Sequence, residues 1–127
     1  MKRLFFIGLL FLSACEESFE HVDPTIFNNS ISERSDIETA EDLVNAYYHP
    51  ALGEGNPTLT IETKPYKNDM VLITLIHDGL LDDSIKALKI IMIAKKESGT
   101  WTVFEINKNW KCREGRGHVN WGSDWCS

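Results

Sequence analysis

Signatures of known chemistry are scarce in this chain of 127 residues. It has no CxxC pair, no HExxH, and no serine framed as a nucleophile elbow, so thiol redox, helical zinc-protease and α/β-hydrolase readings lack a starting point. Its four histidines, His21, His49, His77 and His118, are scattered, and no two stand at metal-ligand spacing on an expected helix. Gly115-Arg116-Gly117 lacks the third glycine and the following helix of a dinucleotide fingerprint. Basic residues are also few, 13 against 19 acids, which argues against nucleic acid as a partner because phosphate binding is driven by basic surface. Long apolar runs are absent too. Leu4 to Leu12 holds nine residues, well short of the roughly 20 that a spanning helix needs.

What is present begins with an address. Lys2 and Arg3 precede the apolar run and Ser13-Ala14 supplies a small-residue exit, the layout of a secretory signal peptide over residues 1–14. Leu12-Ser13-Ala14-Cys15 resembles the lipobox of bacterial lipoproteins, at the right distance from a basic start. The resemblance implies that Cys15 is lipidated and becomes the new N-terminus; a plain signal peptide followed by a chance cysteine is the alternative. Multiple acylation, as in that family, would attach the protein firmly, since one chain holds only marginally. An Asp after the cysteine, the inner-membrane retention signal of enteric bacteria, is replaced by Glu16, so the expectation is a cell-envelope protein, at the outer membrane in a Gram-negative host. The net charge of −6 becomes −8 once Lys2 and Arg3 are removed. That charge is uneven, with an acidic front up to Thr63 and a mildly basic tail from Lys108.

With Cys15 assigned to lipid, Cys112 and Cys126 remain as a pair in an oxidising compartment, and a disulfide is expected. It would close a 15-residue loop and contribute about 3 kcal/mol. No second cysteine pair is present to complete a zinc site, and neither a metal nor a cofactor is expected.

Residues 15–34 carry acids, Pro24 and an Asn-Asn-Ser run without periodicity, and read as the lipidated cysteine and a tether to a single domain over 35–127. Phe19, Ile26, Phe27 and Ile31 are more apolar than a free linker needs. Ser35-Asp36-Ile37-Glu38 has the form of a capping box. Ile37, Ala40, Val44 and Tyr47, with Leu43 beside them, make one helical stripe that Pro50 ends near His49. Ala51 to Pro57 is a loop. Strands are expected at Thr58–Thr63, Met70–His77, Ile85–Lys95 and Trp101–Trp110, joined by short turns as an antiparallel meander. The expected class is α+β: one helix on a four-stranded sheet, similar to cystatin-like and NTF2-like architectures. Ile90 to Ile93 is apolar on both faces, which calls for cover on both sides or a homodimer through a sheet face.

Two polar groupings are candidates. Asp82 and Asp83, between the second and third strands, could hold a cation or act as acid and base, or simply serve the turn. In the proposed disulfide loop, Arg113, Arg116, His118 and Trp121 could bind an anion or stack on a ligand, or pin the loop. The tail residues Lys111-Cys112, Gly115 to His118, Trp121 and Cys126, with Leu81 to Ser84 and Trp101, are similar to a pattern in small exported bacterial proteins of unassigned role. Three functional classes follow. The first is a non-catalytic envelope module binding a protein, glycan or small ligand. The second is a small hydrolase or isomerase using Asp82 or Asp83 with His118, and the third an inhibitor of a basic enzyme. The meander further places Asp82 or Asp83 within ion-pair reach of Arg116.

Overall fold

The computed structural model describes residues 17–50 and 57–127. Seven elements follow in order: β1 (Glu20–Val22), α1 (Thr25–Ile31), α2 (Ala40–Tyr47), β2 (Thr58–Tyr66), β3 (Met70–Asp78), β4 (Ile85–Glu97) and β5 (Thr100–Cys112). All strand pairs are antiparallel, in the order β1-β5-β4-β3-β2. The α+β class is therefore as expected, but among the described residues the sheet has five strands, not four, and there are two helices, not one. The signal peptide and Cys15 lie outside the described residues, as does most of the loop from Ala51 to Pro57. No helix among the described residues is long and apolar enough to cross a membrane.

The fifth strand and the second helix both come from the segment expected to be a tether. β1 pairs Glu20, His21 and Val22 with Lys108, Asn107 and Ile106 of β5. Its seven-residue successor α1 has the low-propensity sequence TIFNNSI, and it is held by tertiary contacts instead. Phe27 and Ile31 pack on the core, and Phe27 meets Tyr47 edge-on at 5.3 Å. Asn28 continues where β1 stops: its Nδ2 donates to Val103 O and its Oδ1 accepts from Val103 N, both at 2.9 Å. One side chain thus satisfies a donor and an acceptor on the open edge of β5.

α2 is shorter than the stripe implied. Its N-cap is Thr39, not Ser35: Thr39 Oγ1 accepts from Asp42 N at 3.0 Å, while Asp42 Oδ2 accepts from the backbone of both Glu38 and Thr39 at 3.1 Å. These donors hold the Asp42 carboxyl below its ordinary value. Ile37 is buried all the same, as part of the approach to the helix.

Strand register sorts the sheet into two faces. Ile73 and Leu75 of β3, Ile90, Met92 and Ala94 of β4, and Val103 and Ile106 of β5 line one face and pack with Leu43 and Val44 of α2 and Ile31 of α1. All of these are at most 5% exposed. Among them lies His77, buried as the register partner of Leu88, with its Nδ1 and the Tyr48 hydroxyl 2.7 Å apart. Burial raises the Tyr48 pKa above its ordinary value. The opposite face carries Lys89, Ile91 and Ile93 of β4, flanked by Asn109 and Asn107 on one side and Leu72 and Thr74 on the other.

Candidate functional site

The second face is covered at one end only, by residues from the two extremities of the described chain. β5 ends at Cys112, and the Cys112–Cys126 disulfide is present, as expected. Between the cysteines the chain turns at Arg113 to Arg116 and doubles back, so that Gly122 exchanges backbone hydrogen bonds with Trp110 at 2.8 and 3.0 Å and Cys112 N donates to His118 O at 2.9 Å. Gly117 sits against the disulfide at φ +147°, and a Cβ there would lie 2.8 Å from Cys112 Sγ. Only glycine fits that position without displacement.

Folded back in this way, the loop lays Trp121 over the sheet. The ammonium groups of Lys89 and Lys111 lie 4.6 and 4.8 Å from its ring centroid, within cation–π range. Lys89, 9% exposed in the middle of an apolar strand, also pairs with Glu17 at 2.6 Å. The fully buried Asn109, its neighbour across β5, donates to Glu17 Oε2 and to Ser18 O at 3.2 Å. Ser18 Oγ in turn accepts from Ser123 N at 3.0 Å. Burial works to raise the Glu17 pKa, but hydrogen bonds from Lys89 and Asn109 and the charges of Lys89 and Lys111 outweigh it, and the carboxyl lies below its ordinary value. The N-terminal segment is thereby latched to both sheet and disulfide loop. Sequence reading missed this cluster; its signals were Lys89 directly before the apolar run Ile90 to Ile93 and Asn109 within β5.

Asp82, Asp83, Arg113 and Arg116 do come together, lining a shallow cleft of 490 Å³ with Leu80 and Leu81. The contact that joins turn and loop differs from the expected one. Among the described residues Arg116 makes no ion pair with Asp82 or Asp83; its only side-chain hydrogen bond there is a long one, 3.4 Å, to Ser127 O. Arg113 makes the connection instead, donating from Nε to Asp82 O and from Nη2 to Leu80 O, each at 2.7 Å, while its backbone N donates to Ser84 O at 2.8 Å. The Asp82 carboxylate is turned inward to its own turn, where it accepts from Ser84 N and Ile85 N at 2.8 Å, and those bonds hold its pKa low. A guanidinium fork suits paired carbonyls as well as a carboxylate, and in this turn the carbonyls are the acceptors left over.

His118 and Trp121 do not line that cleft. Both ring nitrogens of His118 face backbone oxygens, Nδ1 to Asn120 O at 2.8 Å and Nε2 to Asp124 O at 3.0 Å, and Trp110 Nε1 donates to the same Asp124 oxygen. The imidazole therefore braces the loop. Donor atoms of Cys112, His118 and Cys126 all lie within 4.8 Å of one another, but the two sulfurs are bonded to each other.

The far end of the second face is open. There Met70, Ile93 and Phe104, with Tyr66, Lys67 and Lys95, line a cleft of 480 Å³. Phe104 is the extra residue of a β-bulge, since Ile93 pairs with Glu105 and Ala94 with Val103. No protein-family model, curated protein or solved structure matches the chain.

Proposed function

We propose that the protein is a lipid-anchored component of the bacterial cell envelope, attached through Cys15 and carrying a non-catalytic binding or accessory domain of cystatin-like or NTF2-like architecture. The anchor rests on the lipobox sequence Leu12 to Cys15. The observation that carries the non-catalytic reading is the state of the polar groups at the loop end. Asp82 is held by two backbone amides and Arg113 by two carbonyls, and the His118 ring lies between the carbonyls of Asn120 and Asp124, so these groups serve loop shape. General acid–base catalysis needs a group free to reach substrate from the wall of a pocket. The open cleft lined by Met70, Ile93 and Phe104 together with Lys67, Asn68, Lys95 and Glu105 mixes apolar and charged groups, a surface suited to a protein, glycan or amphipathic ligand. The half-buried apolar residues beside it, Leu72 and Ile91, are also where a second copy would pack.

Metabolic labelling with palmitate, followed by mass analysis of the N-terminal peptide, tests the anchor. Wild type incorporates label at Cys15, and Cys15→Ser incorporates none and is left uncleaved or released from the membrane. A Cys15→Ser protein processed and retained like wild type contradicts the proposal.

A further inference from the structure

We infer that the Cys112–Cys126 loop, together with the β3–β4 connection that Arg113 ties to it, rests on the surface of the membrane, so that Trp125, Val119 and Leu81 enter the headgroup layer. The inference builds on the Cys15 anchor proposed above.

The described chain begins against the loop. Ser18 is fixed to the loop through Ser123 N and to the sheet through Asn109, and Glu17 is fixed through Lys89. Cys15 is three residues before Ser18, and three residues span at most about 11 Å. An acylated cysteine has its chains in the hydrocarbon and its backbone among the headgroups, a layer about 5–8 Å thick on each side. Ser18, where the loop is bound through Ser123, is consequently within about 11 Å of that layer, whatever path the intervening residues take.

Surface chemistry at this end matches the placement. Large exposed apolar side chains among the described residues are Ile26, Leu81, Phe104, Val119 and Trp125, and three of the five belong here. Trp125 is 86% exposed, Leu81 72% and Val119 58%. Tryptophan favours the interface, where its ring meets apolar chains and its indole N–H meets polar groups. Lys111, Arg113 and Arg116 add positive charge to the same end of an otherwise acidic chain. Asp82, Asp83, Glu114 and Asp124 cancel it, so apolar insertion carries the placement and salt has a minor effect. The sheet then projects away from the bilayer. Its 13-residue strands β4 and β5 carry the Phe104 cleft toward their opposite end, about 25 Å or more from the loop.

The test uses the full acylated protein in vesicles of phosphatidylethanolamine and phosphatidylglycerol, with and without bromine on the acyl chains. Tryptophan emission of wild type should be quenched by the brominated vesicles, and a large part of that quenching should be lost in Trp125→Phe, a substitution at an exposed position that leaves the disulfide intact. Equal quenching in the two proteins, or none in either, with acylation confirmed by mass, overturns the placement and leaves the anchor standing. A wild-type protein without acyl chains at Cys15 overturns the anchor and the placement together.

Discussion

The two faces of one sheet are held by different physics. Under the helices, Ile73, Leu75, Ile90, Met92 and Ile106 are essentially removed from water, and the stabilisation is apolar area and close packing. Under the loop, one indole and one carboxylate meet two ammonium groups and an asparagine of the sheet, and the loop is closed by a covalent cross-link. Apolar packing tolerates no vacancy but has no direction. The polar latch contributes less free energy, yet it has one geometry, and that geometry fixes where the N-terminal segment leaves the domain.

If the contrast is sound, damage to the first face should cost most and be felt everywhere. Ile90→Ala, at a position 1% exposed, should lower stability by about 3 kcal/mol and shift the urea midpoint of both faces together. Reducing Cys112–Cys126 comes next, at about 3 kcal/mol or somewhat less because Arg113 and His118 still brace the loop. Trp121 emission should move toward that of exposed indole while the helix signal in circular dichroism persists below the new midpoint. Arg113→Ala should cost about 1.5 kcal/mol by freeing the carbonyls of Leu80 and Asp82, whereas Arg116→Ala should change the urea midpoint little.

Among the contacts named, the latch contributes least. Glu17 is partly exposed, so a double-mutant cycle of Glu17→Gln and Lys89→Met should return a coupling of about 1 kcal/mol or less. Its pH dependence has a definite sign. The folded pKa of Glu17 lies below its ordinary 4.5, so its contribution is complete above that pH and is lost as pH falls through the lower folded value. Acid titration of wild type against Glu17→Gln reads that difference.

What the sequence disclosed follows the same division. Strands β3 and β4 were legible as apolar runs bounded by turn residues, β4 with both faces apolar at its middle, and the Leu43–Val44 stripe because burial on one face writes a period into a helix. The disulfide was legible by count. The helix start was misplaced because Ser35 and Thr39 both head a box-like pattern, and the contest was settled by Asp42, which reaches two backbone donors at once. β1 and α1 were not legible. Three residues and seven residues are too short to show a period, and what orders them, Asn28 on the β5 edge and Glu17 on Lys89, joins residues more than 70 positions apart. At the site, residue types were found but roles were exchanged, with Arg113 taking the part expected of Arg116.

Amide hydrogen exchange across Ser18 to Val22 tests the central claim, that this segment belongs to the domain and is not a tether. At neutral pH the account predicts protection of the β1 amides that hydrogen-bond to β5, reduced in Lys89→Met and below the folded pKa of Glu17. Exchange at the rate of an unstructured peptide throughout the segment in the wild-type protein would contradict it.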